Sequence, residues 1–187
     1  MLRQPALDVP VRAADNLFVR LRPAGLTDPV RGTGIERRKK EFIVINVERT
    51  FAVNQPADVV VNYLKDFANA KEWDPGTKSC TQESPGPVQV GTTWHNVSVL
   101  KGKETELTYR LAELSDDHIL LVGENKTATS RDDLTVKPNG AGSTITYHAQ
   151  VEFHGVAKLV GTILLKSEFD KLGDKTEAQM TRAINAL

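Results

Sequence analysis

The C-terminal pattern of apolar residues constrains the fold of this chain more than any other feature. Between Val156 and Leu187, apolar side chains recur mostly at three- and four-residue steps, and charged side chains such as Lys166, Asp170 and Arg182 fill the opposite face. This spacing predicts a long amphipathic helix with one buried face. Because the pattern has no heptad repeat, the helix needs a broad surface to lie on. The preceding segments have strand patterns, so we expect a curved sheet that grips this helix.

The first forty residues differ in composition from the rest. Residues 1–40 hold four prolines and nine Lys or Arg against four Asp or Glu, which leaves fifteen against twenty in the remainder of the 187 residues. Apolar periodicity is faint there, which is typical of disorder. We therefore predict a disordered basic extension over residues 1–40 and one domain over residues 41–187. The alternative is a basic arm that touches nucleic acid or anionic lipid.

Bulk composition narrows the classes of function. Cys80 is the only cysteine, so no internal disulfide can form. No apolar run reaches the length that spans a bilayer, and the N-terminus lacks the apolar stretch of a secretory signal. An acidic body argues against nucleic acid as the main partner. We expect a cytoplasmic protein without stable membrane insertion.

Periodicity along residues 41–187 predicts the order of the elements. The segment from Glu41 to Val53 alternates as a strand, and Pro56–Phe67 has helical spacing after a potential capping side chain at Asn54. A further helical turn is predicted before Asp74. Short strands separated by turns follow, and residues 138–142 carry the strongest hairpin signal. Short turns favour antiparallel pairing, so the prediction is an α+β fold with about six or seven strands and helices on one face.

In this order of elements the chain resembles the START-like, helix-grip superfamily (SRPBCC), and most of all its polyketide cyclase/dehydrase and lipid transport branch. The resemblance rests on Pro56–Phe67, on Trp73–Thr77, on residues 90–98 and 140–147, and on the C-terminal helix. It covers about residues 41–187. The resemblance implies a curved antiparallel sheet wrapped around the long helix, with a ligand cavity between them. Members include lipid carriers, hormone receptors and cyclases, so the fold leaves the function open.

Motifs of catalysis and metal binding are absent from the sequence. There is no Gly-x-Ser-x-Gly elbow, and the four histidines lie far apart with no His-x-x-x-His spacing. Cys80 lies in a strand pattern, where a cysteine usually acts as a small apolar residue. We therefore predict no metal and no cofactor.

Polar and aromatic residues within the strands are the best candidates for a ligand site. Strand parity places Trp94 and Asn96 on one face, Tyr109 among apolar neighbours, and Asp132 on the same face as Leu134. If these faces line the space between sheet and helix, the lining is aromatic with a few polar groups, as in small-molecule pockets. An error of one residue in parity would turn all of them to solvent. The predicted ligand-binding residues are Trp73, Trp94, Asn96, Tyr109, Asp132 and Tyr147.

Three functions are compatible with these observations. The first is binding of a hydrophobic or polyketide-like small molecule in a cavity of roughly 300 Å³ or more. The second is a cyclase, aromatase or dehydratase that acts on such a ligand, with Asp132 or His148 as the proton carrier and Tyr109 or Tyr147 polarising a carbonyl. His148 has the opposite parity to Tyr147, which disfavours it. The third is a structural or stress protein with a filled core.

Overall fold

The computed structural model describes residues 43–154 and 162–187, which form one curved antiparallel sheet and a set of helices packed on it. The seven strands lie in the order β1-β7-β6-β5-β4-β3-β2 across the sheet. Strands β2 to β7 pair in sequence order, and β7 also pairs with β1. Strands β1 and β2 therefore form the two edges of the sheet. The strands are β1 Ile43–Val53, β2 Thr77–Gln82, β3 Thr93–Leu100, β4 Lys103–Leu114, β5 His118–Glu124, β6 Ala128–Asn139 and β7 Gly142–Phe153.

Helices occupy the connection between β1 and β2 and the C-terminus. Helix α1 spans Ala57–Leu64, a 3-10 turn spans Phe67–Asn69, α2 spans Ala70–Trp73 and α3 spans Thr162–Asn185. Asp66 directly precedes the 3-10 turn, and its side chain accepts a hydrogen bond from the Ala68 amide at 3.0 Å. This contact is a side-chain cap of the kind that favours helix starts.

The predicted fold class is confirmed: the sheet is antiparallel, curved and seven-stranded, with short helices after the first strand and a long C-terminal helix. One local prediction is wrong, because no side chain caps α1, which begins after Pro56. The amide of Asn54 instead donates to the Asn185 side-chain carbonyl at 2.7 Å. The predicted extension and the start of the long helix at residues 156–161 lie outside the described residues.

Helix α3 lies directly against β1. The Arg49 guanidinium donates to the Asp174 carboxylate at 2.7 Å and to the Asp170 carbonyl at 3.2 Å. Gly173 allows this close approach, because a Cβ atom there would lie 2.5 Å from Val47 Cγ1. A glycine in mid-helix is unfavourable by about 1 kcal/mol relative to alanine, so here contact with the sheet overrides helix propensity.

The core fills the concave side of the sheet beneath α1, α2 and the C-terminal part of α3. Met180 and Ile184 of α3 are fully buried there, with inward residues of the strands. Phe169, about three turns closer to the start of α3 than Met180, is only half-buried. The helix therefore closes tightly on the core at its C-terminal end and leaves a cavity nearer its start.

Candidate functional site

A cavity of about 160 Å³ lies between the sheet and α3. This volume is about half of the smallest one predicted from the sequence. Most of the wall is apolar, and the polar groups come from the strands, from the loop after α2 and from Thr176 of α3. The cavity is lined by Val47, Asp74, Gly76, Ser98, Val99, Leu100, Thr105, Leu107, Tyr109, Ala128, Ser130, Asp132, Tyr147, Ala149, Val151, Phe153, Phe169, Leu172, Gly173 and Thr176.

Asp132 and Tyr147 form the buried polar centre of this wall. They lie on the adjacent strands β6 and β7, and the Tyr147 hydroxyl donates a hydrogen bond to Asp132 Oδ1 at 2.6 Å. Both residues are only 6% exposed. The second carboxylate oxygen, Asp132 Oδ2, has no hydrogen-bond partner among the described residues. An unpaired buried carboxylate oxygen is costly, which marks this position as a candidate contact for a ligand.

The electrostatics of this centre raise the pKa of the Asp132 carboxyl group. Burial raises the pKa of Asp132 to about 6, and the negative charge of Asp74 also raises it. Hydrogen bonds from Tyr147, Tyr109 and Ser130 act in the opposite direction. Burial and the charge of Asp132 also hold the pKa values of Tyr109 and Tyr147 well above their ordinary range. Asp132 can therefore exchange a proton near neutral pH, while both tyrosines stay neutral donors.

Asp74 supplies a second carboxylate, held by the turn that follows α2. Its Oδ1 accepts from the Gly76 amide at 2.9 Å and its Oδ2 from the Thr77 hydroxyl at 2.7 Å. Burial raises the pKa of Asp74, and these two hydrogen bonds oppose that effect. Asn96 donates to the same Thr77 hydroxyl at 3.1 Å and accepts from Ser98 at 2.6 Å. The network fixes Asp74 and Ser98 in the cavity wall.

No lysine, arginine or histidine is among the described residues that line the cavity. Within the ranges 43–154 and 162–187, no three His, Cys, Asp or Glu side chains converge in the way that metal ligands do. In the same ranges, no helix is both long enough and apolar enough to cross a bilayer. The polar chemistry of the described wall is thus that of carboxyl and hydroxyl groups.

The sequence profile of a family described as "Polyketide cyclase / dehydrase and lipid transport" matches residues 44–181, which is most of the described chain. The chain belongs to this family. The match includes both carboxylates and both tyrosines of the cavity, and it confirms the resemblance seen in the sequence. No protein with a curated description matches the sequence.

Several solved structures share this fold. The STAR-related lipid transfer protein of Xanthomonas axonopodis aligns with a TM-score of 0.61 at 12% identity, over 81% of this chain and 96% of that one. The Zhui aromatase/cyclase of Streptomyces sp. R1128 aligns with a TM-score of 0.57 at 15% identity, over 76% and 92%. A START superfamily protein of Mycobacterium smegmatis aligns with a TM-score of 0.55 at 13% identity, over 75% and 94%. At such identities, the likeness establishes the shared fold alone.

The cavity of this family member brings together three of the six predicted ligand-binding residues. Tyr109, Asp132 and Tyr147 line it, whereas Trp73, Trp94 and Asn96 do not. Five of the six lie on the inner face of a strand and Trp73 lies on α2, and all six are at most 6% exposed. Strand parity therefore gives the correct face, but only part of that face borders the cavity.

The two tryptophans lie in the packed core beside the cavity. Phe67 meets the Trp73 ring edge-on at a centroid distance of 6.0 Å and the Trp94 ring at 6.3 Å. Trp94 Nε1 also donates to Asp66 at 3.3 Å. Trp73 in turn contacts the Tyr147 ring at 6.2 Å. Both tryptophans therefore pack in the core next to the cavity and do not border it.

Two other candidates for chemistry lie away from the cavity. Burial raises the pKa of the Cys80 thiol to about 11, so the thiol is protonated at neutral pH and is a poor nucleophile. His148 is half-buried on the other face of β7, where its ring lies 3.3 Å from Asn46 Oδ1. Neither residue lines the cavity, so neither acts on a ligand bound there.

Several lining residues were missed by the sequence analysis. Asp74 sits in a turn, where carboxylates usually face solvent, and no periodic pattern signals that it turns inward. Ser130 shares the parity of Asp132, and this signal was available in the strand pattern. Phe169 and Leu172 belong to the apolar pattern of the C-terminal segment, which predicts a buried helix face but not a cavity wall.

Gly123 controls the position of Tyr109, which it faces across β4 and β5. A Cβ atom at Gly123 would lie 2.5 Å from the Tyr109 ring. Gly123→Ala should therefore displace the ring and lower the free energy of unfolding by about 1–3 kcal/mol, as overpacked cores do. In a Tyr109→Ala background the same change should cost much less, because the ring is gone. Equal costs in the two backgrounds, measured by denaturant unfolding, would show that the two residues do not interact.

Proposed function

We propose that this protein binds a hydrophobic or polyketide-like small molecule in the cavity between the sheet and α3. The observation that carries the proposal is a largely apolar cavity of about 160 Å³ with one polar centre, at Asp132 and Tyr147. Small-molecule sites commonly combine apolar walls with a few placed polar groups. Apolar burial supplies the affinity, and the polar centre orients the ligand.

The volume restricts the size of the enclosed part of the ligand. An engineered apolar cavity of about 150 Å³ in another protein accepts benzene. The cavity here, at about 160 Å³, therefore suits a single ring or one ring of a larger molecule. The names of two structural relatives, a lipid transfer protein and an aromatase/cyclase, also favour an apolar ligand.

A second candidate function is catalysis of cyclisation, aromatisation or dehydration on such a ligand. It is favoured by the hydrogen bond between Asp132 and Tyr147 at the cavity wall, together with the raised pKa of Asp132, about 6. A carboxyl group with such a pKa suits general acid–base catalysis near neutral pH. In this function Asp132 carries the proton, and Tyr109 or Tyr147 polarises a carbonyl.

The remaining expectations about partners come from the sequence. A cytoplasmic location and the absence of a nucleic-acid partner stay predictions. The basic extension predicted over residues 1–40 likewise stays a prediction. A small-molecule ligand requires none of them.

Toluene binding tests the proposed function. The full chain, purified without organic solvent, should carry an extractable apolar compound in native mass spectrometry, or its melting temperature should rise when toluene is added. Ala149→Leu should abolish this rise, because Ala149 lines the cavity. The matched control Ala52→Leu should keep it, because Ala52 is exposed on β1 of the same sheet. A chain that is empty after purification and indifferent to toluene would refute the proposal.

The variant Asp132→Asn tests whether the protein is a carrier or an enzyme. The variant keeps the shape of the side chain and removes its proton exchange at neutral pH. An enzyme should lose turnover of the extracted compound by about 10²–10⁴-fold while still binding toluene. A carrier shows no turnover in either form.

A further inference from the structure

Resting on the proposed function, we propose that the ligand presents a hydroxyl or amine hydrogen-bond donor to Asp132 and carries no negative charge. The class is thus a neutral or cationic one-ring compound, such as a phenol or an aromatic amine. Carboxylic acids, including fatty acids, are excluded as ligands at neutral pH. Two arrangements in the structure lead to this assignment.

The first arrangement is a buried carboxylate oxygen of Asp132 that accepts no hydrogen bond from the described part of the chain. Tyr147 donates to Oδ1 of Asp132, and the hydroxyls of Tyr109 and Ser130 lie close enough to favour its charged form. Oδ2 itself has no partner in hydrogen-bonding geometry among the described residues. Because the residue is only 6% exposed, bulk water does not replace the missing donor. An acceptor buried in this way is satisfied best by a donor on the ligand, since hydrogen bonds to charged groups are the stronger ones.

The second arrangement is an uncompensated pair of carboxylates. Asp74 and Asp132 both line the cavity, and no cationic side chain does so within the described residues. Arg49, which contacts α3, is engaged by the Asp174 carboxylate and the Asp170 carbonyl. An anionic ligand would enter a low-dielectric space beside like charges, which is strongly unfavourable.

A matched series of one-ring probes tests the inference on the full chain. Toluene, anisole, phenol and benzoate have similar size, and their dissociation constants at pH 7.5 can be measured by calorimetry. Phenol should bind about tenfold more tightly than anisole, whose methyl cap removes the donor. Benzoate should bind at least tenfold more weakly than phenol. Anisole has the larger apolar surface, so apolar burial alone predicts the opposite order.

The outcomes separate this inference from the proposed function. Binding of toluene with equal affinity for phenol and anisole would overturn the donor assignment and keep the apolar site. Benzoate binding as tight as that of phenol would overturn the exclusion of anions. No binding of any probe, toluene included, would overturn both.

The variant Asp132→Asn tests whether Asp132 causes the preference for phenol over anisole and the exclusion of benzoate. The preference for phenol over anisole should shrink to less than about threefold, because the amide is uncharged and hydrogen bonds to neutral groups are weaker. The exclusion of benzoate should also weaken. A preference that is unchanged in this variant would overturn the role of Asp132. Toluene serves as the internal control, since its affinity depends on the apolar wall.

Discussion

Ile184→Asp is expected to lower the free energy of unfolding by several kcal/mol. Ile184 is completely buried on α3 among core residues, and aspartate would place an unpaired charge there. Chemical denaturation followed by circular dichroism measures the change. The matched control is Ala178→Asp on the same helix, where Ala178 is exposed. That control should cost less than about 1 kcal/mol, which is the scale of helix propensity.

The comparison of these two variants tests the packing of α3 on the sheet. Equal and small losses would mean that α3 does not bury this face, which would remove the wall of the cavity. Phe169, which the sequence also predicts to be buried, is half-buried and lines the cavity. The apolar pattern of the C-terminal segment also predicts a buried Ile163, whose side chain lies outside the described residues.

Asp132→Asn is expected to increase stability at neutral pH, up to about 3 kcal/mol. The pKa of Asp132 is raised from 3.8 to about 6 in the folded protein, and each pH unit between these values corresponds to about 1.4 kcal/mol. The charged carboxylate therefore destabilises the fold. Denaturant unfolding of the wild type and the variant at pH 8 gives the difference.

The sign of the pH dependence follows from the same pKa change. Between pH 3.8 and about 6, the Asp132 carboxyl group binds a proton more tightly in the folded state than in the unfolded state. The contribution of Asp132 to the free energy of unfolding therefore falls as pH rises. The raised pKa of Asp74 acts in the same direction. The gain from Asp132→Asn should thus be largest above pH 6 and should vanish near pH 4. A gain that is equal at pH 4 and pH 8 would show that Asp132 titrates normally.

The architecture could be predicted because local patterns carry it. Two-residue periodicity identifies the inward face of each strand, and short turns such as that at Gly140 require antiparallel neighbours. Asp132 was recognised as inward for this reason, since it shares parity with Leu134. These signals depend only on neighbouring residues, so they can be read without knowledge of the tertiary structure.

The boundaries of the site could not be predicted, because they depend on which element covers each part of the inner face. Trp94 and Tyr109 pair directly across β3 and β4, yet only Tyr109 borders the cavity. The turn at Phe67 covers Trp94, and no pattern in the strands reports that contact. The need for glycine at Gly123 is likewise set by a tertiary contact, with the ring of Tyr109. Asp74 is held by local hydrogen bonds in the turn after α2, which do not reveal from the sequence that the turn faces the cavity.

The position of bound toluene in the full chain tests the central claim most directly. Methyl-resolved NMR with leucine and valine labelling would follow the cavity residues Leu107 and Leu172 against the core residues Leu64 and Leu121. We expect saturable shifts and direct ligand-to-methyl contacts at Leu107 and Leu172, with little change at Leu64 and Leu121. Shifts confined to other methyl groups, or none up to the solubility of toluene, would contradict it.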